Sequence, residues 1–435
     1  VHNGEVNTEH LQVSRERLWA SLQDYARFGA TPEGGVTRPI FSAADQQARQ
    51  RLVEDCRALG LDAQVDAAAN VTAVRPGSDP DLPAIVIGSH LDSVPNGGRY
   101  DGPLGVLAAL EVLRTLEERH VATRHAVALV SFTGEEATAF GTSTFGSRAL
   151  AGRLPDVAGN LLPDGRSVRR ALADCGGDWS ALPALAAGFR PPACFLELHI
   201  EQGRRLEGNG QALGVVSGVA GIHRQRIVFR GEAGHAGTTA MAERHDALRA
   251  ASRLVLAAAA LPGRVAADDP AATATVGFLQ VTPNTPNVIP GAVELVTDLR
   301  SARPELLAAL AAGVEAAAHE AAAAEGVFAA VAVMLDQAPI QFDARVRAAM
   351  GEAVRSLGGA GRELASQAGH DAVHMASLAP AGMLFLRCKG GLSHCPDETI
   401  TPEDAALGAE ALLRSMLLLD SGVNFGSAPD SRQAY

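Results

Sequence analysis

The residues of this chain best suited to chemistry sit at the ends of short apolar runs. The segment GSHLDSVPNGGRYDGPLGV, Gly88 to Val106, puts His90 at the end of one run, Asp92 two residues on, and Asp101 just before a helix-periodic stretch. By type, His90 is a neutral imidazole ligand, Asp92 is spaced to hold its other ring nitrogen, and the two oxygens of Asp101 can bridge two cations. Taken alone, H-x-D reads as readily as a turn with a solvated aspartate, and the glycines as turn formers. The next run, AVALVSFT, leads into Gly134, Glu135 and Glu136. Adjacent carboxylates are ordinarily a solvated pair, as Glu117 and Glu118 are expected to be. His199, flanked by Glu197 and Glu201, closes a third run, and His394 in GGLSHCPDE follows a fourth. One histidine after a strand is more often packed or capping than ligating, but four strands ending this way form a pattern. The inventory is enough for two zinc-like sites that share one carboxylate, with a glutamate left over as general base. No G-x-S-x-G elbow, G-x-x-x-x-G-K-[ST] loop or H-E-x-x-H helix is present, so serine hydrolase, nucleotidase and zincin readings fall away.

Such residues need strands that deliver them to one place. Short apolar runs at Ala84 to Ile87, Ala126 to Thr133, Ala193 to Ile200 and Met383 to Leu386 alternate with helical patterns such as PLGVLAALEVLRTLEER, which predicts an α/β sheet with ligands at the strands' carboxyl ends. Between about Val215 and Met334 the rhythm changes. Strands are predicted near Gly214 to Val219, Ile222 to Phe229, Thr273 to Val281, Ala292 to Leu299 and Val327 to Met334, with helices at Met241 to Ala260 and Pro304 to Glu325. That is an inserted unit whose helices can cover one face of a mostly antiparallel sheet. The Ala-rich stretch from Leu306 is read as helix, and the polar tail after Leu419 as disordered.

Composition bounds the partners. A length of 435 residues suggests two domains, and 37 Lys and Arg against 49 Asp and Glu give −12, which argues against nucleic acid. The five cysteines form no C-x-x-C pair, so a reducing compartment is expected. The apolar stretch Leu254 to Pro262, bounded by Arg253 and Arg264, is too short to span a bilayer, and the first ten residues do not read as a signal peptide. The expectation is a cytoplasmic protein without a membrane partner.

Taken together, the blocks resemble the hydantoinase/carbamoylase family of dinuclear metal amidohydrolases, which includes N-carbamoyl-L-amino acid hydrolases and allantoate amidohydrolases. Besides the segments above, the resemblance rests on FGSRALAG (Phe145 to Gly152), HIEQG (His199 to Gly203), GHAGTTAMAERHDAL (Gly234 to Leu248), NTPNVIPG (Asn284 to Gly291), DLRS (Asp298 to Ser301) and AGHDA (Ala368 to Ala372). It implies a zinc-peptidase-like catalytic α/β domain, residues 1–214 and 336–435, interrupted by an α+β lid and dimerisation domain, residues 215–335. It further implies two divalent ions per chain, zinc, manganese, cobalt or nickel, one held by His90, Asp101 and His199 and the other by Asp101, Glu136 and His394. Glu135 becomes the base, Gln202, Asn287 and Arg300 bind substrate, and His235 reaches the substrate carbonyl across a homodimer contact. Each of these last has a plainer reading, Arg300 as a salt-bridge partner, Asn287 as a turn residue and His235 as a loop residue. The implied substrate is a small ureido or N-acyl carboxylate: an N-carbamoyl-L-amino acid first, allantoate as the near alternative, an acylated amino acid or dipeptide after those. His199 stands where peptidase-like relatives carry an acid, which favours the carbamoylase branch. Departures from the family pattern fall at Ala137, Ala139, Ala240 and Gln367, none of them a proposed ligand or the base.

Overall fold

The computed structural model describes residues 11–136 and 138–422, which form two compact units. One holds the described residues up to Ser217 together with residues 342–364 and those from Gly369; the other holds residues 218–341 and 365–368. Ala137 and the tail from residue 423, where disorder was expected, lie outside the described residues.

In the first unit the sheet runs in the order Asp62–Val65, Val71–Arg75, Val127–Phe132, Ile85–His90, Cys194–Ile200, Ala381–Leu386, Leu213–Val219. Ile85–His90 is parallel to both Val127–Phe132 and Cys194–Ile200, and Ala381–Leu386 is parallel to Cys194–Ile200. Parallel strands covered on both faces read as near-continuous apolar runs, and each residue of Val127–Phe132, Cys194–Ile200 and Ala381–Leu386 is buried. The register sets His90 beside Phe132 and His199 beside Phe385, so the histidine-bearing ends of these strands come out level. The helix Pro103–Glu118 begins with proline at its first position, where the missing N–H costs nothing, and buries Leu104, Val106, Leu107, Leu110 and Leu113 in the core.

Leu213–Val219 was expected to open the inserted sheet. It pairs instead with Ala381–Leu386, Met383 opposite Val216, because its apolar pattern specifies a strand but not the partner. The chain therefore crosses into the second unit at Ser217 and Gly218, later than the expected boundary.

The second unit is an antiparallel sheet in the order Phe328–Gln337, Gly221–Arg230, Ala292–Ser301, Thr273–Thr282. Alternation puts Val293, Leu295 and Leu299, with Ile227 and Phe229, into one core with the apolar faces of helices Ala247–Val265 and Pro304–Glu325. The first of these helices starts six residues later than expected, since the Asp246 carboxylate caps it by accepting from Leu248 N at 2.9 Å and Arg249 N at 3.3 Å, and it runs on through Pro262. Pro304–Glu325 has the length and composition of a membrane span, unlike the shorter apolar stretch Leu254 to Pro262. Here it lays Leu307, Leu310, Val314 and Ala318 into the core.

Candidate metal centre

The strand end at His90 turns at once. Its Nδ1 lies 3.1 Å from the Asp92 carbonyl oxygen, and His199 Nδ1 lies 3.0 Å from that of Ile200. A carbonyl can only accept, so in each neutral ring Nδ1 carries the proton and Nε2 presents a bare lone pair. Both Nε2 atoms face one oxygen, Asp101 Oδ1, from 3.8 Å (His90) and 3.2 Å (His199). The other oxygen, Oδ2, faces His394 Nε2 at 3.3 Å, and that nitrogen lies 3.2 Å from Glu136 Oε1. The donor atoms thus form one set from His90, Asp101 and His199 and another from Asp101, Glu136 and His394, each within 4.8 Å.

Acceptor facing acceptor at these distances is repulsive unless something positive lies between them. A proton is one remedy: hydrogen bonds to Asp101 and Glu136 push His394 up to about 10, and His90 is held well above its ordinary value because its carboxylate neighbours outweigh the burial that opposes charging. A divalent cation is the remedy that suits two imidazoles and a shared carboxylate at once, so the residues fit the implied ions.

Backbone chemistry holds the centre. Asp92 was expected to hold the second ring nitrogen of His90. Its carbonyl oxygen lies 3.1 Å from that Nδ1 and its Oδ1 3.5 Å, and its carboxylate also accepts from the amides of Glu135 and Glu136, both at 3.0 Å. Glu135 is 9% exposed, and burial first, then Glu136 and other carboxylates, holds it well above the ordinary range, against the pull of His90. Asp101 is seated by Glu398, which accepts from Tyr100 N at 2.8 Å and Asp101 N at 3.0 Å. A Cβ on Gly98 would strike the Glu398 carboxylate, and one on Gly102, at φ 85°, would strike the His90 ring. Glu398 was not singled out from the sequence; the Gly97-Gly98 pair, a mark of close backbone approach, was the available signal. Asp371 was missed as well. It accepts from Ser147 Oγ at 2.6 Å, joining the FGSRALAG and AGHDA blocks, and burial followed by Glu197 pushes it up to about 8.

The remaining expected residues are placed differently. Gln202 donates through Nε2 to Asp101 Oδ2 at 2.7 Å. His235, Asn287 and Arg300 belong to the second unit. There His235 pairs with Val288 and Ala236 N donates to the Asn287 carbonyl at 3.0 Å, so those two share one short ribbon. His235 is exposed, and its Nδ1 accepts from Gly237 N at 3.0 Å, which leaves Nε2–H as a donor. Arg300 is held by Asp298 at 2.8 Å and by the Gln367 carbonyl at 2.5 Å.

The family model for peptidase family M20/M25/M40 matches residues 86–418, which takes in every candidate ligand of this centre. The chain belongs to that family. It is 38% identical over 94% of its length to the whole of an N-carbamoyl-L-amino acid amidohydrolase from Geobacillus stearothermophilus. It is 33% identical, over 90% of this chain and 95% of the relative, to an allantoate amidohydrolase from Bacillus subtilis. Among solved structures, a hydantoinase/carbamoylase family amidase from Burkholderia multivorans superposes with a TM-score of 0.87 at 37% identity, covering 95% of this chain and 99% of that one. The family resemblance and the α/β fold class read from the motifs are both borne out.

Proposed function

We propose that this chain is a dinuclear metal-dependent amidohydrolase that cleaves the ureido C–N bond of N-carbamoyl-L-amino acids, giving the L-amino acid, ammonia and carbon dioxide. The observation that carries this reading is the sharing of Asp101 between two donor sets, with the buried Glu135 left outside both. Two divalent ions, zinc, manganese, cobalt or nickel, would supply Lewis acidity that polarises the ureido carbonyl and acidifies the attacking water. His90, Asp101 and His199 hold one, and Asp101, Glu136 and His394 the other. Glu135 takes a proton from the water as its oxygen adds to the carbonyl carbon, and returns it to the departing nitrogen as the C–N bond breaks; the carbamic acid that remains then loses carbon dioxide and frees the second nitrogen. Its raised pKa matches the first half of that task, since a carboxylate that holds a proton more tightly is the better base. Arg300 and Asn287 grip the substrate α-carboxylate, Gln202 lines the site, and His235 donates from Nε2 to the carbonyl oxygen as charge gathers there. The second unit serves as lid and dimer contact, and the five free cysteines accord with a reducing, cytoplasmic setting.

Allantoate, also a ureido-substituted carboxylate, is the second reading, favoured by the similarity to the Bacillus subtilis allantoate amidohydrolase. The test is ammonia release from N-carbamoyl amino acids and allantoate, with product amine assayed for N-acyl amino acids and dipeptides, using enzyme reloaded with each metal. Turnover of carbamoyl amino acids above allantoate supports the first reading and the reverse order the second. Turnover of acyl amino acids or dipeptides alone removes both.

A further inference from the structure

The two donor sets meet Asp101 on unequal terms. Among the described residues, the hydrogen bonds donated to the Asp101 side chain arrive at Oδ2: Ser393 Oγ at 2.6 Å and Gln202 Nε2 at 2.7 Å. Oδ1 faces the His90 and His199 Nε2 atoms. A carboxylate oxygen has about two lone-pair sites, so Ser393 and Gln202 together take up Oδ2. Donors around a metal site usually address the far side of a ligand and strengthen it. These two address the ligating atom itself. The rest of the geometry leans the same way: His90 and His199 are each 1% exposed and locked through Nδ1, whereas the His394 side chain is 49% exposed on a left-handed backbone, φ 58°. Ser393 has somewhere else to go, because Glu398 Oε2 lies 3.3 Å from its hydroxyl.

We propose that the Ser393 hydroxyl and the Gln202 amide compete with the outer cation for Asp101 Oδ2, making the His394 position the weaker of the two, with Ser393 acting as a latch that must turn to Glu398 before that cation binds. The inference rests on the two-cation reading above. The inner position is occupied first and the outer one exchanges with free metal.

The experiment titrates Co2+ into the metal-stripped full chain, following visible absorption and heat. Two binding steps separated by about tenfold or more are expected, with His394→Ala abolishing the weaker step and sparing the stronger. Ser393→Ala should tighten the weaker step about tenfold and leave the stronger unchanged. Gln202→Met, which keeps the length and removes the donor, should act in the same direction if Ser393→Ala fails to fold. Equal steps in the wild type, or a weaker step that is unchanged or loosened in these variants, would overturn the proposal. Fewer than two Co2+ bound by the wild type removes the two-cation reading itself, a distinct failure.

Discussion

Asp92 commits both carboxylate oxygens to the amides of two consecutive glutamates, and so fixes which way each of those side chains leaves the backbone. Glu135 and Glu136 then do different work from adjacent positions, and their variants should separate. Glu135→Gln should retain both metal ions by elemental analysis and lose kcat by about 10²- to 10⁴-fold, whereas Glu136→Gln should lose an ion as well. Equal metal loss in the two variants would end that division of labour. Asp92→Asn offers one acceptor oxygen and one NH2 group where two acceptors stood, so one amide is left facing a donor. It should lower kcat about tenfold to a hundredfold with KM little changed, and hydrogen exchange at Glu135 and Glu136 should quicken in the variant. Residue types alone revealed the ligand candidates. They could not reveal Asp92's partners, because those are main-chain groups, which the sequence pattern does not mark.

Two elements decide whether the centre can form. The loop from Asp92 to Gly102 passes so close to His90 and Glu398 that Gly98 and Gly102 admit no side chain. Gly102→Ala should cost about 1–3 kcal/mol in urea unfolding and displace the His90 ring, with loss of the inner metal ion as the more telling readout. The short helix Asp371–Met375 carries a different constraint. His374 Nε2 lies 3.0 Å from Thr144 Oγ1, and burial, then Arg148 and Arg153, lowers its pKa to about 3. In the unfolded chain an ordinary histidine charges near pH 6.5, so its contribution is complete above that value and lost as pH falls toward 3. Between pH 7.5 and 5 the loss from this group should be about 2 kcal/mol, and His374→Gln should lose that much less stability than the wild type over the same interval. The elements were largely legible: Pro304–Glu325 runs as its pattern predicts, and the buried strands fall where the apolar runs lie. Partner choice was less so. Leu213–Val219 joins the first sheet through long-range pairing, and Asp246 fixes a helix start that apolar periodicity placed too early.

At the scale of the whole molecule the question is whether one chain suffices. In the second unit the sheet ends in Phe328–Gln337 on one side and Thr273–Thr282 on the other, and Phe278, Leu279, Phe328, Val333 and Met334 on these edge strands are each 44–62% exposed. Open edges carrying large apolar side chains are where another chain can add, and the proposed dimer would form through this unit. His235 is exposed on the same unit, with its Nδ1 engaged by Gly237 and its Nε2–H turned into a donor. If that donor serves the partner's substrate, His235→Ala should lower kcat chiefly, because the interaction strengthens only as charge gathers on the carbonyl oxygen. Arg300→Ala, which removes a grip on the ground-state carboxylate, should raise KM chiefly. The decisive experiment mixes two inactive chains. A heterodimer of Glu135→Gln and His235→Ala chains contains one site with both defects and one with neither, so about half the wild-type activity per dimer should return if the residues act across the contact. If each chain is self-contained, both sites keep one defect and nothing returns, and verified heterodimers no more active than their parents would leave His235 an ordinary loop histidine.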